Sequence, residues 1–189
     1  MEILSRSDIQ TAAKSVLGWK IVRNLDNGKI LSGSIVETEV YHQEDEASHT
    51  FGGKMSKRNQ VMFGPAARAY VYFTYGMHYC MNITAGPDGY GAAILIRGLE
   101  PLDGVETMKV NRRQDDIYQL CSGPAKLTQA LMIDTALNGH DLAKPPLQLI
   151  PAGKVGESDI VTTTRIGISK AIDQPLRFYI KNNPYISKP

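Results

Sequence analysis

Two glutamates and a tyrosine alternate along one predicted strand and are suited to acid–base chemistry. Residues 35–41 are rich in β-branched side chains, and period-2 alternation predicts that Ile35, Glu37, Glu39 and Tyr41 share one face. A carboxylate beside a phenol can act as a general base that activates a water molecule. We predict this role for Glu39, whereas for Glu37 a solvated position at a sheet edge is an equally good explanation.

A cation and a histidine are the next candidates. Arg97 ends the apolar run that begins at Ala92, and an arginine at the end of a buried strand requires a carboxylate partner or a ligand. His49 follows the polar segment 44–48, although a lone histidine is more often structural than catalytic.

An aromatic stretch predicts the element around which the site is built. Residues 69–74 and 78–83 are rich in aromatic and β-branched residues and predict a β-hairpin, with Gly76 in its turn. Alternation places Tyr70, Tyr72 and Thr74 on one side. A buried sheet strand explains most of this pattern, but an aromatic residue beside a hairpin tip also resembles the wedges that enter a stack of nucleic-acid bases.

Two further segments could contact phosphates. The loop 51–59 carries three cations and two glycines, and Ser122-Gly-Pro-Ala-Lys126 predicts the start of a helix with a lysine in its first turn. An ordinary surface loop and ordinary helix capping are the competing explanations.

The composition is that of one globular domain, for which we take residues 1–189. The 189 residues are 42% hydrophobic and 21% charged, and no apolar run approaches the ~20 residues of a membrane-spanning helix, so we expect a cytoplasmic protein. Cys80 and Cys121 fit no metal-ligand spacing. Residues 1–50 carry five Lys/Arg against eight Asp/Glu within a total of 21 against 19, so the remainder is mildly basic and permits phosphate binding.

The pattern of elements predicts an α+β fold. We expect a helix from an N-cap at Ser7 to Gly18, a hairpin turn at Asp26-Asn27-Gly28, and helices over 103–113 and after Ser122. Further strands are predicted at 147–150, 160–168 and 176–180. Because βαβ alternation is lacking, we predict a single compact domain with a curved, mainly antiparallel sheet, surrounding helices and a protruding hairpin.

An ordered set of segments resembles the alkyladenine (3-methyladenine) DNA glycosylase family. The resemblance covers residues 33–178 and rests on Val36-Glu-Thr-Glu-Val-Tyr41, Arg58-Asn59, Met62-Phe63, Tyr70-Val-Tyr72, Tyr75-Gly-Met77, Cys80-Met-Asn82, Arg97-Gly-Leu-Glu-Pro101 and Leu120-Cys-Ser-Gly-Pro-Ala-Lys-Leu127.

The resemblance implies a role for each matched residue. Glu39 is the general base, and Arg97 helps to hold the attacking water together with the backbone carbonyl of Ile166. The implied pocket residues are Tyr41, His49 and Tyr72, which sandwich the extruded base, and Asn82, which disfavours guanine. The implied DNA contacts are the intercalating Tyr75 and the backbone-contacting residues Lys54, Ser56, Met77, His78 and Lys126.

The resemblance also implies the reaction and its partners. Such enzymes flip a damaged purine from the duplex and hydrolyse its N-glycosidic bond. Because no lysine matches a Schiff-base nucleophile, we expect a monofunctional enzyme. We also expect no cofactor and no metal. Its expected partner is double-stranded DNA that contains 3-methyladenine, hypoxanthine or etheno-adenine. We expect a monomer that binds no membrane and, in a bacterium, associates with the nucleoid.

Two other functions compete with this one. A non-catalytic nucleic-acid binder would use the hairpin and basic loops for stacking and phosphate contact. A hydrolase of small nucleosides or sugars would use Glu37 and Glu39 as its carboxylate pair.

Overall fold

The computed structural model describes residues 1–6, 8–74 and 76–189. These residues form eight β-strands, namely β1 (Lys20–Asn24), β2 (Ile30–His42), β3 (Ala69–Thr74), β4 (His78–Thr84), β5 (Ala92–Pro101), β6 (Leu147–Ile150), β7 (Ile160–Thr163) and β8 (Arg177–Ile180). They also form three α-helices, namely α1 (Ile9–Ser15), α2 (Val105–Arg112) and α3 (Pro124–Ala130).

All eight strands belong to one antiparallel sheet with β2 near its centre. The strand order is β3-β4-β5-β2-β1-β6, and β8 pairs with both β2 and β7. One edge of β2 pairs with β5, while its other edge pairs first with β1 and then with β8. The predicted α+β class with a single compact domain and a mainly antiparallel sheet is confirmed.

The two faces of the sheet have different roles. Apolar side chains from one face pack with the helices into the main core, as Val40, Val71 and Met81 do. The opposite face carries Tyr70 and Ala93, which belong to a small separate cluster with Met62. Strand alternation thus divides β2 to β5 into a core side and a site side, as the sequence predicted for the tyrosines of β3.

A β-bulge in the middle of β2 changes which side chains face the site. The pairing of β2 with β5 shifts register on both sides of Glu37, which is paired with Gly98. Ile35 consequently lies in the main core together with Val40. The prediction that Ile35 shares a face with Glu39 is therefore wrong, because a bulge interrupts simple alternation and re-aims the residues that follow it.

The β3–β4 hairpin extends beyond the rest of the sheet. All of β3 pairs with β4, but β4 pairs with β5 only at Asn82–Thr84. Where β4 leaves β5, helix α3 packs beside it, and the Thr128 hydroxyl donates a hydrogen bond to the Tyr79 carbonyl at 2.9 Å. The hairpin thus projects on a supported base, as predicted.

The outer edge of β3 is partly covered by the chain that follows α3. The Ala69 N–H donates to the His140 carbonyl, and the Gly139 N–H donates to the Ala69 carbonyl. The Asn138 side chain accepts a hydrogen bond from the Val71 N–H at 3.0 Å. This segment therefore occupies hydrogen-bonding positions that an additional strand would use.

Several predicted element ends differ from the observed ones, and α1 ends at Ser15 rather than at the predicted Gly18. Helix α1 is capped by Asp8, whose carboxylate accepts a hydrogen bond from the Thr11 N–H, and the proposed N-cap Ser7 lies outside the described residues. The strand predicted over 160–168 ends at Thr163, because Arg165 turns inward to bind Asp45. The Asp26-Asn27-Gly28 turn is confirmed, with Gly28 at a φ of 80°.

Candidate active site

Glu39 lies on β2 with no exposed surface and three hydrogen-bond donors around its carboxylate. Oε1 accepts the Ile166 N–H at 2.9 Å and lies 3.2 Å from Nη1 of Arg97. Oε2 accepts the Tyr41 hydroxyl at 2.7 Å. A carboxylate has about four acceptor positions, so three donors leave about one position for a water molecule.

Arg97 is shared between two buried carboxylates. Its Nη1 faces Glu39, and its Nε lies 3.5 Å from Oε1 of Glu37. Arg97 lies in β5 opposite the bulge of β2, which brings both glutamates towards one guanidinium. The sequence-based expectation that this arginine has a carboxylate partner is confirmed.

Glu37 is fully buried and is held by residues near the end of the chain. Its Oε1 lies 2.9 Å from Nε of Arg177 and accepts the Ser187 hydroxyl at 2.9 Å. Its Oε2 accepts the Ser187 N–H at 2.6 Å. The prediction of a solvated edge position for Glu37 is wrong, because two arginines and Ser187 compensate the buried charge.

A second buried ion pair fixes the other side of Glu39. Arg165 binds Asp45 through two nitrogens, of which Nη2 lies 2.9 Å from Oδ1, and also donates to the Val40 carbonyl at 2.9 Å. The Arg165 guanidinium lies 4.6 Å from the centre of the Tyr41 ring. This pair holds Tyr41 in place and fixes the segment whose next residue, Ile166, donates to Glu39.

Aromatic side chains form the wall of a pocket in front of these groups. The rings of His49 and Tyr72 meet edge to face at 4.7 Å, and Arg58 lies 5.1 Å from the centre of the Tyr72 ring. Nδ1 of His49 lies 2.9 Å from the Tyr70 hydroxyl. The pocket therefore offers flat faces and polar ring edges to a bound group.

These aromatic groups are uncharged at neutral pH, and burial reinforces this state. Burial raises the pKa of Tyr70 to about 12, and it raises the pKa of Tyr41 and that of Tyr72 further. Partial burial, together with the positive charge of Arg58, lowers the pKa of His49. The pocket is thus lined by neutral rings around one ionic cluster.

The pocket has a volume of about 340 Å³ and is lined by six of the seven residues predicted to be catalytic or substrate-binding. That volume is within the ~300–1,000 Å³ range of small-ligand sites. Its lining includes Tyr41, His49, Tyr72, Asn82, Arg97 and Ile166. Asn82 donates to the Tyr70 carbonyl at 3.0 Å, which fixes its amide on the wall. Glu39 lies behind this surface, in contact with three lining residues.

The predicted DNA contacts are distributed over the loop that precedes the hairpin (Lys54, Ser56), the hairpin itself (Met77, His78) and helix α3 (Lys126). Lys54, Ser56, Met77 and His78 are exposed, and 70% of the surface of Met77 is accessible. Lys126 is half-buried, and its ammonium donates to the Gln119 side chain at 2.7 Å. Tyr75, the predicted intercalating residue, lies outside the described residues.

Several residues of the site were missed by the sequence analysis. Tyr70 could have been assigned from its alternation with Tyr72. Arg165 and Asp45 are 120 positions apart, Ser187 and Glu37 are 150 apart, and no local pattern joins either pair.

In the described part of the chain, no group of three or more His, Cys, Asp or Glu side chains is arranged to hold a metal ion. No helix among the described residues is long and apolar enough to cross a membrane.

An antiparallel sheet that carries an aromatic pocket over a buried carboxylate suits a hydrolase that binds a flat group. The family described as "Methylpurine-DNA glycosylase (MPG)" matches residues 3–184. The chain therefore belongs to the methylpurine-DNA glycosylase family, whose enzymes are hydrolases of DNA repair that excise damaged bases.

Curated relatives support the same assignment. The chain is 54% identical to a protein of Carboxydothermus hydrogenoformans, over 96% of this chain and 94% of that protein. It is 48% identical to one of Francisella tularensis over 100% of this chain and 98% of the relative. A protein of Methanoculleus marisnigri is 47% identical, over 96% and 94% of the two chains. All three are named "Putative 3-methyladenine DNA glycosylase".

Proposed function

We propose that this protein is a monofunctional DNA glycosylase that removes alkylated or deaminated purines with a water molecule activated by Glu39. The observation that carries the proposal is the buried Glu39 carboxylate, which Arg97, Tyr41 and the Ile166 N–H hold behind an aromatic pocket. A purely binding pocket has no need for a buried carboxylate with one acceptor position left open.

The proposed reaction is a hydrolysis with balanced atoms and charges. The damaged nucleotide leaves the duplex and its base enters the pocket between Tyr41, His49 and Tyr72. The oxygen of a water molecule bonds to C1′ of the sugar, and the C1′–N bond breaks with its electron pair going to the base. Glu39 takes one proton of the water and stabilises the positive charge that develops on the sugar. That proton then passes to the released base when the base leaves as an anion, or to solvent when an alkylated purine leaves as a neutral base, so Glu39 is again a carboxylate. The products are a free base and an abasic site.

The proposed substrates rest on the family resemblance and are compatible with the pocket. Flat rings favour purines, and we assign to Asn82, whose amide donates to the Tyr70 carbonyl, the role of disfavouring the exocyclic amine of guanine. We propose 3-methyladenine, hypoxanthine and etheno-adenine in double-stranded DNA as the substrates. Tyr75 remains our proposed intercalating residue on the basis of the sequence alone.

The small-nucleoside hydrolase is the weaker alternative. It requires Glu37 and Glu39 to act as a pair on one substrate. Glu37 is already bound by Arg177 and by two donors of Ser187, which leaves it no role at the pocket surface. The other alternative, a non-catalytic DNA binder, is distinguished from a glycosylase by the assay described next.

The test is a single-turnover assay on duplex oligonucleotides that each carry one of the three lesions, with alkali to cleave abasic sites. The wild-type protein is expected to give alkali-dependent cleavage of at least one duplex. Loss of the general base should slow Glu39→Gln by about 10²- to 10⁴-fold, while lesion binding is retained.

The matched control is Glu46→Gln, which changes an exposed glutamate in the loop after β2 and should leave the rate unchanged. Lesion binding by wild type without release of any base would favour the non-catalytic binder. Normal cleavage by Glu39→Gln would contradict the assigned base.

A further inference from the structure

We infer that Ser187, near the end of the chain, is a positioning residue that sets how Arg97 is divided between Glu37 and Glu39. The inference rests on the proposed function, since its consequence for the rate requires Glu39 to be the base. Ser187 lies three residues beyond the segment 3–184 that matches the family.

Ser187 contacts both Arg97 and Glu37, one of the two carboxylates that share Arg97. Its hydroxyl donates to Glu37 at 2.9 Å, and its backbone N–H donates to the same carboxylate at 2.6 Å. The same hydroxyl oxygen accepts a hydrogen bond from Nε of Arg97 at 3.4 Å. The Ser187 hydroxyl thus donates a hydrogen bond to the buried Glu37 carboxylate and also accepts one from Nε of the Arg97 guanidinium.

The distances indicate a balance between the two carboxylates. Arg97 lies 3.5 Å from Glu37 through Nε and 3.2 Å from Glu39 through Nη1. Without the hydroxyl, Glu37 loses a donor and Nε loses an acceptor. Both changes draw the guanidinium towards Glu37 and away from Glu39, because a buried carboxylate is costly without its donors.

The segment around Ser187 is held in a fixed place. The Tyr185 carbonyl lies against Gly98, where an added Cβ would approach it to 3.1 Å. The Tyr185 ring stacks on Tyr118 with ring centres 5.1 Å apart. The Lys188 carbonyl accepts a hydrogen bond from Arg177. These contacts on both sides of Ser187 keep its hydroxyl aimed at Glu37.

The test compares Ser187→Ala, Ser187→Thr and wild type in the single-turnover assay. Loss of the hydrogen bond to a charged group should lower the rate of Ser187→Ala roughly tenfold, with little change in lesion binding. Ser187→Thr keeps the hydroxyl and should restore most of the rate. Ser5→Ala, at an exposed serine whose hydroxyl donates to the Glu2 carbonyl, is the matched control and should behave as wild type.

The pH profile supplies a result that a merely structural role would not produce. The charged and titratable groups around Glu39 are Tyr41 and Glu37 on its own strand, Arg97 on β5, Cys80 on β4, Arg177 on β8 and Arg165 after β7. Of the contacts that these groups make with Glu39, Ser187→Ala should weaken only the one from Arg97. Since a nearby cation favours the ionised carboxylate, the acid limb of the rate profile should move to higher pH.

A crystal structure of Ser187→Ala gives a readout that does not depend on activity. The distance from Arg97 Nη1 to Glu39 Oε1 should lengthen beyond 3.2 Å, and that from Nε to Glu37 Oε1 should shorten below 3.5 Å. Unchanged distances would overturn the inference whatever the wild-type activity. An active wild type with an equally active Ser187→Ala would also overturn it, while leaving the proposed function intact. An inactive wild type would refute the proposed function.

Discussion

Tyr41 combines two functions that can be separated. Its ring lines the pocket and lies under the Arg165 guanidinium, and its hydroxyl donates to the Glu39 carboxylate. Burial, together with the negative charge of Glu39, raises the pKa of Tyr41, so the phenol keeps its proton and stays a donor. In the proposed function, the ring contributes to base recognition and the hydroxyl supports Glu39.

Replacement of Tyr41 by phenylalanine is expected to slow cleavage more than it weakens binding. The ring and its contact with Arg165 remain, whereas a hydrogen bond to a charged group, worth about 1.5–3 kcal/mol, is removed. The corresponding reduction in single-turnover rate is about 10- to 100-fold. Tyr90→Phe is the matched control, because Tyr90 also donates to a glutamate, Glu44, but lies outside the pocket. Equal reductions of binding and rate would contradict this division of roles.

The bulge between β2 and β5 is the element on which the site depends most. It turns Glu37 and Glu39 away from the core and brings Arg97 opposite them. Gly98 makes this packing feasible, because an added Cβ would lie 3.1 Å from the Tyr185 carbonyl oxygen and 3.2 Å from Val36 Cγ2. A glycine here permits residues 185–188, called the final segment below, to approach the sheet closely.

Gly98→Ala should therefore destabilise the protein. Overpacking against backbone and fixed core atoms costs about 1–3 kcal/mol, measurable as a reduced free energy of unfolding in urea. The control is Gly153→Ala, at an exposed glycine where an added Cβ meets nothing within 4 Å. Equal stability of the two variants would show that the final segment moves aside at no cost.

Local patterns predicted the elements but not how they are joined. The turn at Asp26-Asn27-Gly28 and the alternation of Tyr70 with Tyr72 depend on neighbouring residues, and both were predicted correctly. The bulge was not predicted, because it depends on strand β5, which lies about 60 positions further along the chain. The environment of Glu37 depends on Ser187, 150 positions away. Sequence alone therefore indicated which residues come together at the pocket, but not what holds them.

At the scale of the whole molecule, charge is distributed unevenly along the chain. The chain has a formal charge of only +2, but its first 50 residues are acidic and the remainder is basic. Lys54 belongs to the basic remainder and is exposed on the loop that precedes the hairpin. Phosphate contacts at such positions release counterions from DNA and make binding dependent on salt.

Lys54→Ala is expected to weaken binding to duplex DNA with or without a lesion. For each DNA phosphate that the protein no longer neutralises, the slope of log K against log salt should become shallower by about 0.9. The control is Lys20→Ala, which removes the same charge from an exposed position on β1. Titrations at several salt concentrations measure both slopes, and equal slopes for the two variants would argue against a phosphate contact at Lys54.

The covered edge of β3 has a consequence for self-association. A projecting hairpin with an open edge is a template on which another copy can add a strand. Here Asn138, Gly139 and His140 occupy the hydrogen-bonding positions of Ala69 and Val71 at the root of the hairpin. A second molecule cannot extend its sheet along that root without displacing them. The root of the hairpin is thus protected from the strand pairing that begins aggregation.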